Sequence, residues 1–191
     1  KSFRRENISY VIRDTEAKPL ELFNILSKVQ GGAIVYVRTR LKASSIAAFL
    51  NKSGIKSDFY HAGLSSAQRA RRQEAWKSGK VPVVVATNAF GMGIDKADVR
   101  VVVHYDVPDS PEAYFQEAGR AGRDGNPATA WMSYGLQDVV QQRRMIDESD
   151  ADPEHRRIQI GKLDALLGFC ETLTCRRVRL LEYFGESAAP C

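Results

Sequence analysis

Short apolar runs alternate with amphipathic stretches from residue 8 to about residue 148. Residues 8–12, 33–37, 57–60, 81–86, 99–104 and 129–134 read as strands. Runs such as AIVYV (33–37) are apolar at successive positions, the pattern of strands covered on both faces in a parallel sheet. Residues 20–29, 41–52, 66–77, 111–117 and 137–148 read as helices. Ser65-Ser66-Ala67-Gln68 has the form of a capping box. Ser110-Pro111 forms an N-cap and first-turn pair, and Gly54 stands just past the end of the second helix. This alternation predicts an α/β fold: a mainly parallel sheet with helices on both faces over residues 1–150. The pattern breaks at 149–152 (SDAD). Asp152-Pro153 opens a helix to about Phe169, and Thr174 is expected to cap another that ends before Gly185. Residues 151–191 are therefore expected to form a small helical hairpin. No internal repeat or low-complexity tract is present.

The 191 residues, 43% of them hydrophobic, suffice for one core of ordinary size plus an appendage. No stretch approaches the roughly 18 apolar residues of a membrane span. The opening KSFRRENISY lacks the apolar region of a signal peptide. These features suggest a cytoplasmic (bacterial nucleoid) or nuclear protein, neither secreted nor membrane-bound. The net charge is +5, unevenly spread: residues 1–100 carry 18 Lys/Arg and 8 Asp/Glu, while 101–151 carry 4 and 9. A basic first half suits a polyanion-binding face, and equally suits scattered solvated lysines. The three cysteines, 170, 175 and 191, are few, odd in number and late, unlike a disulfide framework.

Chemistry concentrates in Gln116-Glu117-Ala118-Gly119-Arg120-Ala121-Gly122-Arg123-Asp124-Gly125. Two arginines three apart, among glycines, suit a partner's phosphoryl group, because the guanidinium is always charged and donates through a planar fork. The chain has no G-x-x-x-x-G-K-[ST] loop to cradle phosphates itself. Arg38-Thr39-Arg40, His61-Ala62-Gly63 and residues 87–95 (TNAFGMGID) each follow a predicted strand. With the arginine pair they are expected at one sheet edge, outside the C-terminal strand ends where open α/β sheets bind ligands. Gly91-x-Gly93 is not a dinucleotide fingerprint, since position 96 is lysine. No H-E-x-x-H, G-x-S-x-G or C-x-x-C occurs, and histidines 61, 104 and 155 read as structural.

IVYVRTR (34–40), FYHAGL (59–64), VVVATNAFGMGIDKADVRVVVHYDVP (83–108) and YFQEAGRAGRDG (114–125) together resemble motifs IV, IVa, V and VI of the RecQ family of superfamily 2 DNA helicases. SFRRENISY is similar to the segment that joins the family's two motor lobes, although Arg5 stands where the family often has proline. The resemblance implies a second RecA-like lobe. A first lobe, with the phosphate loop and the Mg²⁺ carboxylate, would precede residue 1. Carried over by position, Arg123 is the arginine finger toward the γ-phosphate of ATP and Arg120 its neighbour, though the two roles are interchangeable on the sequence alone. Gln116, Asp95 and Gly93 complete the nucleotide-facing set, with Gln116 coupling nucleotide to strand and Asp95 meeting the ribose or the arginine pair. Thr39, Arg40, Arg69 and Thr87 match positions that hold phosphates of single-stranded DNA, although Arg69, within QRARRQEAW, equally fits a solvated helix face.

ETLTCRRVRLLEYFGE, with Pro190-Cys191, resembles the hairpin and zinc-binding module that follows the motor in this family. Cys175 and Cys191 match its first two ligand positions, and Cys170 falls outside the pattern. Structural zinc takes four ligands, so no properly bound zinc is expected here, with a frayed end after Gly185. The implied whole is a 3′-to-5′ ATP-dependent DNA helicase using ATP, Mg²⁺ and Zn²⁺. Its partners would be single-stranded and partly duplex DNA and its own N-terminal lobe. Alone, the chain is expected to be inactive, with Arg120 and Arg123 exposed and idle. The alternative is a stand-alone nucleic-acid or protein-binding module, which would bind DNA tightly and salt-sensitively by itself.

Overall fold

The computed structural model describes residues 4–91 and 95–190. The strands β1 (Ile8–Asp14), β2 (Gly32–Tyr36), β3 (Ser57–Tyr60), β4 (Val83–Ala86), β5 (Val99–His104) and β6 (Ala128–Tyr134) form one sheet. Its order is β1-β6-β5-β2-β4-β3, and every neighbouring pair is parallel. The mainly parallel sheet of the sequence reading is thus wholly parallel among the described residues. The helices are α1 (Lys18–Leu26), α2 (Arg40–Lys52), α3 (Ser66–Lys77), α4 (Pro111–Ala118), α5 (Leu136–Asp147), α6 (Pro153–Cys170) and α7 (Arg176–Tyr183).

Alternation of side chains along each strand divides the core into two layers. Ile34, Tyr36, Val84, Ala86 and Val102 pack with Trp76 of α3, Tyr114 and Ala118 of α4, Leu166, Phe169 and Cys170 of α6, and Leu180 of α7. Ala33, Val35, Val83, Val85, Val101 and Val103 point the other way, against Leu22 and Leu26 of α1 and Ala43, Ile46, Ala47 and Leu50 of α2. Covering both faces explains why these strands read as unbroken apolar runs, each buried side chain contributing roughly 1.5–3 kcal/mol. Trp76 is fully covered, and its indole N–H still finds an acceptor in Ala33 O at 3.1 Å. The hairpin α6–α7 shares the first layer, since Leu166, Phe169 and Leu180 belong to the same apolar cluster as Ile8 and Met132 of the sheet.

Caps set most boundaries as expected. Ser65 and Gln68 exchange both capping-box bonds, and Ser110 and Asp152 accept from Ala113 N and His155 N. Several boundaries differ, among them the ends of β1 at Asp14 and of α1 at Leu26, and three have a visible local cause. Helix α1 begins at Lys18, because Pro19 in its first turn removes only an N–H that would be unpaired anyway. Strand β4 starts at Val83, after Pro82, whose carbonyl accepts from Ala33 N at 2.9 Å. The N-cap of α7 is Cys175 rather than Thr174, whose hydroxyl pairs instead with that of Thr172 at 2.9 Å. Among the described residues no helix is long and apolar enough to cross a membrane.

Candidate nucleotide and nucleic-acid site

Helix α4 buries Pro111, Tyr114 and Ala118 and leaves Gln116 exposed. It stops at Gly119, and a loop over 119–127 carries the two arginines into β6. Gly122 has φ +55°, and a Cβ there would stand 2.5 Å from Asn7 Nδ2 and 2.7 Å from Asn126 O. Only glycine fits both that backbone region and that space. The Gly122 N–H donates to Val99 O at 2.8 Å and the Asp124 N–H to Ala97 O at 3.2 Å, both at the start of β5. This corrects one expectation. Three polar stretches lie past the C-terminal ends of β2, β3 and β4, but the arginine loop precedes β6, at the opposite end of the strands. It meets them through Gly91, which Arg120 approaches, and Asp95, which pairs with Arg123.

Residues to which the sequence assigns no role at the site hold the loop from behind. Arg5 donates Nη1 to Gly119 O at 3.1 Å, and Nη2 to Ala121 O at 2.9 Å and Gly122 O at 3.0 Å. The Asn7 amide donates to Gly122 O and Asn126 O at 2.7 and 2.9 Å. Arg100 grips both oxygens of Asp124 at 2.6 and 2.8 Å and donates to Pro127 O at 3.0 Å. These hydrogen bonds from Arg100 hold the Asp124 carboxyl down at about 2. Nothing local in the sequence announces Arg5 or Arg100 as partners of this turn.

In front, Arg123 is exposed as expected, and both arginines have side-chain partners. Arg123 Nη1 donates to Asp95 Oδ1 at 2.9 Å. Both groups are exposed, Asp95 to 80% of its side chain, so the pair is solvated and readily exchanged for another anion. Arg120 is half-buried. Its guanidinium lies where a Cβ on Gly91 would approach to 2.9 Å, and it hydrogen-bonds the Tyr36 side chain. Tyr36 donates its hydroxyl to Phe90 O at 2.9 Å. Burial pushes that phenol well above the usual tyrosine range, with Arg120 opposing, so it stays a neutral donor. The sequence segments around 91–95 and 119–123 are therefore joined at Arg120–Gly91 and Arg123–Asp95. Gly93 lies outside the described residues.

The DNA-facing candidates are distributed over three neighbouring loops. Thr39 caps α2, its Oγ1 accepting from Lys42 N at 3.2 Å. Arg40 is exposed and packs over Gly63, its Nη1 2.9 Å from where a Cβ there would sit. That contact unites the loops after β2 and β3. Arg69 is half-exposed one turn before Arg72. Arg72 ion-pairs with Asp58 and lies 3.9 Å above the Phe59 ring, which in turn stacks on His61 at 5.6 Å. Thr87 is buried, its N–H bonded to Tyr60 O at 3.2 Å and its carbonyl accepting from Phe90 N at 2.9 Å. The structure thus groups Thr39, Arg40 and Thr87 at the ends of β2 and β4, the central strands of that edge. Beside them, a cleft of about 130 Å³ is lined by Asp106, Asp109 and Glu117 together with Arg38, which pairs with Asp109 at 3.3 Å, and contains none of the candidates.

Cys175 is half-buried at the start of α7 and outside any disulfide. Cys191 lies outside the described residues. Among the described residues no group of three or more His, Cys, Asp or Glu is placed to hold a metal. Cys170 is buried and behaves as core, its thiol pushed up to about 12 by desolvation.

The helicase conserved C-terminal domain family matches residues 17–125. The chain belongs to this family. The RecQ zinc-binding family matches residues 136–191, so the lobe and its hairpin are the C-terminal helicase domain and zinc-binding region of the RecQ type. Pasteurella multocida "ATP-dependent DNA helicase RecQ" is 44% identical over 193 residues, covering 100% of this chain and 30% of that protein. Schizosaccharomyces pombe "ATP-dependent DNA helicase hus2/rqh1" is 43% identical over 190 residues, 97% of this chain and 14% of that one. The chain therefore spans less than a third of either relative. The DEAD-box protein of Methanococcus jannaschii superposes with a TM-score of 0.62 at 28% identity, over 74% of this chain and 39% of that one. Escherichia coli DEAD-box protein SrmB, solved with RraA, gives 0.62 at 27% identity, over 74% and 85%. The lobe has the RecA-like helicase fold that the sequence predicted.

Proposed function

We propose that this lobe is the second motor half of a 3′-to-5′ ATP-dependent DNA helicase, supplying arginines to a nucleotide held mainly by an N-terminal lobe of the same protein. The observation that carries this reading is the joining of the arginine loop to residues 91–95: Arg123 pairs with an exposed carboxylate, Asp95, that a phosphate can replace. Arg123 is the finger and neutralises charge on the terminal phosphate during transfer. Arg120, fixed against Tyr36 and Gly91, supports it. Gln116, exposed on α4, connects the nucleotide to the strand-holding loops. Asp95 lines the same site, to which the family resemblance also assigns Gly93. Bound ATP with Mg²⁺ would supply the phosphoryl group; this chain's residues supply only charge and orientation. A finger of this kind contributes about 10³–10⁵ in rate, roughly 4–7 kcal/mol of barrier.

Thr39, Arg40, Arg69 and Thr87 hold the phosphates of a single strand. Such contacts fix position without reading sequence, as translocation demands. Closing and reopening of two lobes around ATP would then move the strand. Zinc belongs to the intact helicase, with Cys175 and Cys191 among its ligands, and two thiolates do not retain it in this chain.

The chain by itself is expected to show no ATP hydrolysis, DNA-stimulated or otherwise, and only weak binding to single-stranded DNA. A salt titration of DNA binding by the purified chain tests this directly. Tight, steeply salt-dependent binding would favour a stand-alone nucleic-acid-binding module, and ATP turnover by the chain alone would overturn the two-lobe reading.

A further inference from the structure

Arg5 lies 114 positions before Gly119, yet it is the main side-chain support of the arginine loop's backbone. The carbonyls of Gly119, Ala121 and Gly122 all accept from its guanidinium, at 3.1, 2.9 and 3.0 Å. They follow directly on the C-terminal end of α4, the negative end of its dipole, while the helix's own last carbonyls are taken by the Gly119, Arg120 and Ala121 N–H groups. A cation placed there is favoured by the dipole and gives the loop carbonyls a donor. Three carbonyls approached from different directions require a planar fork of donors, which lysine does not offer. Two residues on, Asn7 occupies the space that the absent side chain of Gly122 leaves open. A turn closed by Ile8 N–H to Arg5 O at 3.5 Å delivers both side chains.

We infer that Arg5 is a positioning residue for the arginine loop: it fixes the backbone from Gly119 to Gly122, so that Arg120 and Arg123 project from a rigid base. The inference rests on the reading that these two arginines act on a nucleotide. Arg5 touches no reacting group, and its effect passes through the loop's main chain. Loosening that base misplaces the finger without removing it, so turnover falls while ATP affinity stays.

The test compares Arg5→Ala, Arg5→Lys and Arg123→Ala in the intact helicase containing this lobe, with DNA-stimulated ATP turnover, KM for ATP and melting temperature as readouts. Arg5→Ala is expected to lower kcat by about 10- to 100-fold at nearly constant KM, the scale of an ångström-sized misplacement. Arg5→Lys keeps the charge but not the fork and should fall between that and wild type, at wild-type melting temperature. In the purified lobe, Arg5→Ala should also speed hydrogen exchange at the Gly122 amide. If Arg123→Ala leaves kcat intact, the reading of the loop itself fails. If Arg123→Ala abolishes turnover while Arg5→Ala leaves kcat unchanged, the positioning role alone is overturned. Should Arg5→Ala fail to fold, Arg5→Lys decides, and wild-type kcat in that variant overturns the inference.

Discussion

Four arginines surround the loop at 119–127, and they divide into a rear pair and a front pair. Behind the loop, Arg5 spends its donors on three main-chain carbonyls, and Arg100 spends its own on the carbonyls of Ala97, Asp98 and Pro127 and on both oxygens of Asp124. In front, Arg123 meets one solvated carboxylate, and Arg120 leans on Tyr36 beside Gly91. The four side chains have identical chemistry. What separates a scaffold arginine from a functional one is the acceptor it meets. Carbonyls that belong to the fold consume the fork, whereas an exposed carboxylate holds it in place for a competing anion.

The largest contrast concerns Arg123. Arg123→Ala in the intact helicase should lower ATP turnover by about 10³–10⁵-fold while leaving ATP binding nearly unchanged. Its stability should change by less than about 1 kcal/mol, because the lost ion pair is exposed. Urea unfolding beside single-turnover kinetics measures both, and equal losses of binding and rate would remove the distinction between front and rear. Next comes the rear wall. Gly122→Ala forces a side chain into a left-handed backbone already filled by Asn7 and Asn126, and should cost about 1–3 kcal/mol in urea unfolding. A neutral result would mean that the loop is soft and the rear grip unimportant. Tyr36→Phe removes the hydroxyl bond to buried Phe90 O and should cost roughly 0.5–1.5 kcal/mol.

The smallest effect is a pH dependence. Asp124 is held at about 2 in the folded chain, against its ordinary 3.8. Its contribution is complete above 3.8 and disappears as the pH falls through 2, since the unfolded chain takes up the proton first. The urea midpoint of the wild type should therefore fall more steeply between those values than that of Asp124→Asn. Identical slopes would show that Arg100 does not hold this carboxylate in solution.

Much of the fold was legible because its signals are local. The runs AIVYV and VVVA need only adjacent residues to announce strands covered on both faces, and Ser65-x-x-Gln68 writes its own helix start. Thr174 misled because its hydroxyl had a nearer partner in Thr172. At the site, arginine spacing marked the loop, and the pairing of Arg123 with Asp95 matched an open option of the sequence reading. The edge on which the loop lies was misread. Sequence order places Arg120 sixteen residues after His104, but not the return of α4 to the start of β5. Arg5, Asn7 and Arg100 were invisible for a related reason: their partners are fixed by tertiary approach, and no pattern of neighbours encodes a bond spanning 114 positions.

The position of β1 also affects how the molecule is made. It is made before the other strands of this sheet, but among the described residues it pairs with β6 alone, Ile8 lying opposite Ala128, 120 positions later. At about 5–20 residues per second, roughly 6–24 seconds separate the synthesis of the two partners. During that interval β2, β3, β4 and β5 can assemble around a hydrogen-bonding edge that β1 cannot join. The nascent lobe therefore carries an unpaired strand, Ile8–Asp14, until β6 has been made. Docking of the sheet's first strand onto its last is an entropically expensive closure, which makes it the natural slow step in folding this lobe and the point at which a chaperone has most to protect.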